Sequence, residues 1–139
     1  MYLEQHPEEP KWWRDEDCLF GDFESVELTL ETDGTAPGDA MLDSLSGIKA
    51  DLDQFVRAAA ALILDNYSYE HFAKIGVDVT LLVDETVDDI ARVAKLTSIW
   101  VNDIENRTFD LSFIVPWDNH HTFDVEFENG KAVTCSVNG

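Results

Sequence analysis

The amino-acid sequence predicts an α+β protein, with an antiparallel sheet and two main helices packed on one of its faces. One N-terminal and several C-terminal segments alternate apolar with polar residues, which is the period of half-buried strands. Two segments between them repeat apolar residues every three or four positions, as amphipathic helices do. Because the strands are grouped apart from the helices, the pattern favours α+β over a parallel sheet.

The length of 139 residues indicates a single domain over residues 1–139. Residues 1–17, MYLEQHPEEPKWWRDED, predict an irregular N-terminal arm, because prolines bracket a highly charged stretch. They carry acids and no apolar core segment, so we do not expect a secretory signal. Trp12 and Trp13 are costly to leave in water, and one of them is expected to hold the arm against the core.

The N-terminal strand is predicted at VELTLE, residues 26–31, where Val and Leu alternate with Glu and Thr. A helix is predicted over about residues 44–65, because Leu45, Ile48, Leu52 and Phe55 begin a continuous apolar stripe. A second helix is predicted over about 86–96, with acids in its first turn and bases in its last. Between the two helices, KIGVDVTLLVDE is either loop or a short strand.

The C-terminal sheet is predicted from LTSIWVNDI, TFDLSFIV, TFDVEFE and KAVTCSV. For the last hairpin, a two-residue turn at Asn129-Gly130 would pair Glu128 with Lys131 and would put the apolar residues of the two strands on opposite faces. A three-residue loop over residues 128–130 would instead pair Phe127 with Lys131 and Val125 with Val133. Because register follows burial, we predict the longer loop, with Gly130 left-handed in a bulge.

This alternation predicts an open, acidic sheet face opposite the helices. We call its five acids the acidic platform: Glu27, Glu31, Asp110, Asp124 and Glu126. Small residues are expected between them, namely Thr29, Ser112, Thr134 and Ser136. Small neighbours permit close docking of Arg and Lys side chains, so the platform is the predicted partner-binding site. The alternative interpretation is an ordinary solvated sheet face.

The net charge is extreme, with 29 acids against 9 Lys and Arg residues and a formal value of −20. Such a charge disfavours direct binding to nucleic acid or anionic membranes, and it favours a basic protein partner. The acidity could also serve solubility alone.

No run of about 18 apolar residues exists, so no membrane span is expected. Cys18 and Cys135 lie far apart in the sequence, and free thiols in a cytoplasmic protein are favoured over the alternative, a disulfide between them.

The segment WDNHHTF is the one candidate metal or catalytic motif. A zinc site needs three or four converging ligands, whereas His120 and His121 should point to opposite faces of a strand. We therefore expect no metal and no cofactor, and we expect either histidine to tolerate alanine. The chain has no GxSxG motif and no Gly-rich phosphate loop, so no catalytic residue is assigned.

The end of the chain, FDLSFIVPWDNHHTFDVEFENGK preceded by SIWVND, resembles a group of small bacterial α+β proteins of unknown function. Members of this group are often encoded beside polymorphic toxins, including contact-dependent growth-inhibition systems, and are taken to be immunity proteins. The resemblance implies an inhibitor of a toxin domain and assigns no site residue. Together with the charge, it predicts an immunity protein that neutralises a basic toxin domain such as a nuclease. The alternatives are a non-catalytic accessory module and a small enzyme with a carboxylate site.

Overall fold

The computed structural model describes residues 2–65, 87–116 and 118–139. Seven strands and three helices lie within these residues. The strands are β1 (Glu4–Gln5), β2 (Trp12–Phe20), β3 (Phe23–Glu31), β4 (Lys95–Asp103), β5 (Thr108–Val115), β6 (Asp118–Glu128) and β7 (Lys131–Asn138). The helices are α1 (Asp39–Ala50), α2 (Leu52–Asp65) and α3 (Val87–Val93). The α+β class predicted from the sequence is therefore confirmed.

All seven strands form one sheet in the order of the chain, from β1 to β7. Neighbouring strands are antiparallel except β3 and β4, which run parallel. A parallel pair needs a crossover, and here the crossover contains the helices. The N-terminal strand therefore joins the C-terminal strands through a parallel contact, which the sequence-based prediction of an antiparallel sheet had missed.

The prediction that residues 1–17 form an irregular arm is wrong. The segment contains β1 and most of β2, and Trp12 to Asp15 pair in regular register with Glu31 to Leu28 of β3. Register shifts after Asp15 and after Cys18 interrupt the alternation along β2, and this irregularity explains why the sequence shows no clear strand period. Trp13 does pack against the core, as expected for one of the two tryptophans.

The helix predicted over 44–65 is two helices that meet at Asp51. The Asp51 carbonyl accepts hydrogen bonds from the N–H groups of Gln54 and Phe55 and so begins α2. The Asp51 carboxylate pairs with Arg107 at 2.9 Å. The apolar stripe continues through this break, so its period could not reveal it. The second predicted helix, 86–96, is observed as Val87–Val93, whereas the stretch KIGVDVTLLVDE lies outside the described residues.

One face of the sheet packs on the helices and forms the core. Phe109 and Phe127 are paired across β5 and β6, and their rings stack at 4.9 Å. Phe55 of α2 meets both rings edge-on, at 5.1 and 5.5 Å. The two sheet phenylalanines are almost completely buried, so this face holds much of the apolar surface that stabilises the fold.

The turn between β6 and β7 differs from the predicted loop. Asn129 and Gly130 have φ values of +52° and +76°, and Glu128 pairs with Lys131, as in a two-residue turn of type I′. A register shift leaves Val133 as an extra residue between Ala132 and Thr134. This bulge brings Cys135 opposite Val125, so a short turn and a consistent apolar face coexist. The longer loop was predicted because a regular β7, without a bulge after the turn, would need it to keep the apolar residues on one face.

Candidate partner-binding face

The sheet places the five acids of the acidic platform on the face opposite the phenylalanine core. On β3, Glu27 and Glu31 alternate with the buried residues Val26, Leu28 and Leu30. Asp110 lies directly across from Glu126, and Asp124 lies across from Ser112 two pairs further along the same two strands. The alternation seen in the sequence therefore gives the correct face for each acid.

The two acids of β3 are engaged within the protein. Glu31 accepts a hydrogen bond of 2.6 Å from the indole N–H of Trp100 on β4. Glu27 lies 3.7 Å from the Arg14 guanidinium of β2. Such pairing partly neutralises or orients both carboxylates, so this half of the platform is less available to a partner than the sequence suggested.

Aromatic side chains also cover part of this half of the face. Trp12 and Trp100 meet edge-on, with ring centroids 4.7 Å apart. Thr29 lies between Arg14 and Trp100 in the strand register and is only 1% exposed. The β2–β4 part of the face is therefore closed by its own side chains. Sequence reasoning missed this cover because it had not recognised β2 as a strand.

The remaining three acids, Asp110, Asp124 and Glu126, form what we call the carboxylate cluster. Burial, and then the negative charges of Glu126, Asp124 and Glu31, raise the pKa of Asp110 above its ordinary value of 3.8. Among the described residues, no Lys, Arg or His forms an ion pair with any member of the cluster. Like charges directly opposite one another on a sheet destabilise it, so the cluster opposes folding.

Two carboxylates of the cluster reach towards the edge strand β7. The Thr134 hydroxyl donates a hydrogen bond of 3.1 Å to Glu126, and the Asn138 amide donates one to Asp124. Ser136, which is exposed and small, lies opposite Asp124 between these two contacts. The carboxylates of β6 are thus oriented towards the exposed edge strand, where Thr134, Ser136 and Asn138 lie beside them.

The paired histidines lie in β6, near the buried carboxylate of Asp118. The Nδ1 atom of His121 is 2.6 Å from the Asp118 carboxylate, which also accepts the backbone N–H of His120. The sequence-based interpretation missed this i, i+3 contact, for which the order Asp-x-x-His was the available signal. Within the described ranges, no group of three or more His, Cys, Asp and Glu residues is arranged to hold a metal ion.

Both cysteines are free thiols, with Cys18 buried and Cys135 partly buried. Burial, and then the charge of Asp124, raises the pKa of Cys135 to about 11. A thiol with such a pKa is protonated at neutral pH and is a weak nucleophile. Cys135 faces the covered side of the sheet opposite Val125, where it contributes to packing.

The described residues therefore form an α+β protein with one seven-stranded sheet. The helices pack on one face of this sheet, and the carboxylate cluster lies on the other face. No helix in the part of the chain that the structure describes is long and apolar enough to cross a membrane. Comparison with protein-family models, curated proteins and solved structures found no match to this chain.

Proposed function

We propose that the protein is a non-catalytic immunity protein that acts in the cytoplasm and neutralises a basic toxin domain, such as a nuclease. The observation that carries the proposal is the carboxylate cluster, three acids on the uncovered sheet face without a cationic partner among the described residues. A basic partner would supply the missing cations. The acids of β3, which are engaged with Arg14 and Trp100, would contribute to the surrounding field.

The energetic cost of the cluster supports a binding role. Asp110 and Glu126 are directly opposed, and burial of Asp110 makes its ionised form still less favourable. Solubility alone does not require this arrangement, because acids spread over the surface would provide it without opposed pairs. A guanidinium or ammonium group inserted between the carboxylates would turn the repulsion into charge-assisted hydrogen bonds.

The overall charge supports rapid association. A formal net charge of −20 attracts a basic domain over a distance of about one Debye length, roughly 8 Å at physiological salt. Attraction of this kind speeds encounter, while the close charge pairs determine how long the complex lasts. An inhibitor that must capture a toxin quickly would benefit from both effects.

The raised pKa of Asp110 is the observation that favours a second candidate, an enzyme with a carboxylate acid or base. Catalysis by two carboxylates requires one of them to sit in a site that excludes water. Asp110 lies on a sheet face beside an exposed Glu126, which suits docking of a protein better than enclosure of a small substrate. An accessory module of another kind is the third candidate, and a neighbouring gene for a large secreted toxin would favour immunity over it.

The experiment is a binding measurement with the purified protein encoded by the neighbouring gene. The test variant replaces the cluster by Asp110→Asn, Asp124→Asn and Glu126→Gln. The control variant neutralises three exposed acids outside β5, β6 and β7, by Asp22→Asn, Asp43→Asn and Glu105→Gln. Each variant removes three of 20 net negative charges and leaves −17.

We expect the test variant to bind at least about 30-fold more weakly than the control, because losing one desolvated charge pair typically costs about 2–5 kcal/mol. Equal affinities of the two variants would remove the cluster from the mechanism. Failure of the wild-type chain to bind the neighbouring protein at all would contradict the immunity function.

A further inference from the structure

The two edges of the sheet differ in how they are protected from additional strands. β1 covers only Glu4–Gln5, and Pro7 and Pro10 follow it closely. Short length, charge and proline are the usual means by which a sheet edge avoids pairing with another chain. The opposite edge, β7, extends from Lys131 to Asn138, and no strand in the described part of the chain pairs with its outer side.

β7 lacks most of these protective features. Residues 132–139, AVTCSVNG, are the longest run without a charged residue in a chain that is 27% charged. The run contains no proline, and its β-branched and small residues suit a strand. Its bulge lies at Val133, next to the turn, whereas Thr134 to Asn138 pair in unbroken register with β6. Along these five residues, alternate residues direct their backbone N–H and C=O groups away from β6, towards a side on which no strand of the described residues pairs with them.

The side chains beside this edge indicate what kind of strand it would accept. A strand added to β7 would lie about 4.8 Å from it and about 9.6 Å from β6, with alternate side chains over each sheet face. On the open face, Glu126 and Asp124 already reach towards β7 to accept hydrogen bonds from Thr134 and Asn138. Long basic side chains on the added strand could pass over the exposed Ser136 and meet these carboxylates.

We propose that β7 is the docking edge for a β-strand of the basic partner, with Lys or Arg at alternate positions over the carboxylate cluster. Main-chain hydrogen bonds to β7 would give affinity, and the cluster would select the basic sequence. This inference rests on the proposed function for the nature of the partner. A second copy is the less suitable occupant, because it would bring another chain with a charge of −20, and a second carboxylate cluster, beside the first.

A synthetic peptide with the sequence Arg-Val-Arg-Thr-Arg-Val-Arg, blocked at both ends, tests the inference directly. Two further versions carry N-methyl groups, one on the arginines and the other on the intervening residues. All three peptides have the same charge, but each N-methylated version lacks one alternate set of backbone donors. A strand at a sheet edge uses only one of these sets to reach its neighbour.

We expect the parent peptide to bind, and one N-methylated version to bind about tenfold or more weakly, because it loses several backbone hydrogen bonds. The other version should bind within about twofold of the parent, because its methyl groups replace N–H groups that do not bond to β7. The backbone amides of residues 134–138 that point away from β6 should become protected from hydrogen exchange when the parent peptide binds, whereas the amides that already bond to β6 should change little.

Three results would overturn the edge proposal. Equal binding of all three peptides would show adsorption on the sheet face by charge alone, and failure of the parent peptide to bind at low salt would exclude strand addition. Self-association of the chain that protects residues 134–138 without peptide would assign the edge to a second copy. If the neighbouring protein binds without protecting these amides, the edge proposal fails while the proposed function stands.

Discussion

The two faces of the sheet differ most clearly along β5, where successive residues have opposite roles. Phe109, Leu111 and Phe113 are fully buried against the helices and the neighbouring strands. Asp110, one residue from Phe109, lies on the other face directly opposite a second acid. The covered face therefore supplies apolar burial that stabilises the fold, whereas the open face concentrates charge that weakens it. Stability and the proposed partner binding should then respond to substitutions on different faces.

The largest effect should come from the covered face. Phe109→Ala removes a ring that contacts Phe55 and Phe127, and we expect the free energy of unfolding to fall by about 3–5 kcal/mol. Phe109→Leu should cost much less, because most of the apolar volume remains. Asp110→Asn, one position along, should cause no loss. Denaturant unfolding of the three variants measures the contrast, and a comparable loss in Asp110→Asn would contradict the division between the faces.

A second effect concerns Asp118, an acid that is buried and has partners. His121→Ala removes one hydrogen-bond partner of this carboxylate, and we expect the free energy of unfolding to fall by about 1–3 kcal/mol. His120→Ala is the matched control, because the His120 backbone N–H that bonds Asp118 is retained and its exposed side chain is removed. The control should change stability by about 0.5 kcal/mol or less.

This contact revises the expectation from the sequence that either histidine tolerates alanine. Equal stabilities of the two alanine variants in thermal or denaturant unfolding would show that the contact between His121 and Asp118 contributes nothing. Zinc bound stoichiometrically to the wild type and lost in either variant would show a different role for the pair.

The smallest effect is the pH dependence contributed by Asp110. Its pKa is raised in the folded protein, so the folded state binds more protons than the unfolded state between the ordinary value of 3.8 and the raised value. Stability contributed by this group is therefore present at low pH and is lost as the pH rises through that window. Asp110→Asn should remove this component, so that the difference in unfolding free energy between variant and wild type grows towards neutral pH. A difference that stays constant from pH 3 to 7 would contradict a raised pKa of Asp110 in the folded protein.

The sequence predicted the face of each residue at 26–31 in β3, 109–113 in β5 and 123–127 in β6, because Phe, Val or Leu alternates there with polar residues. It did not predict the neighbours of those strands. The parallel contact of β3 with β4 depends on the path of the helical crossover, which no local period encodes. The bulges in β2 and β7 also interrupt the two-residue period where the prediction relied on it.

The same limitation applies to the candidate site. All five acids of the acidic platform were placed on the open face correctly, yet their unequal availability depends on β2 and β4. Arg14 and Trp100 engage Glu27 and Glu31 only because those two strands flank β3. A prediction of residues 1–17 as an irregular arm does not contain the Arg14 contact, which depends on β2 lying beside β3. The Trp100 contact depends in the same way on β4 lying beside β3. The carboxylate cluster on β5 and β6 is what remains of the platform after these contacts are counted.

The most direct test of the central claim is how the rate of association with the neighbouring protein depends on salt. The wild type, the cluster variant and the control variant are compared over a range of salt concentrations, and the two variants have the same net charge. We predict that the wild type and the control slow steeply as salt rises, while the cluster variant associates more slowly at low salt and shows a flatter dependence. Identical slopes for the two variants would show that net charge alone guides the encounter, and would contradict a specific role for Asp110, Asp124 and Glu126.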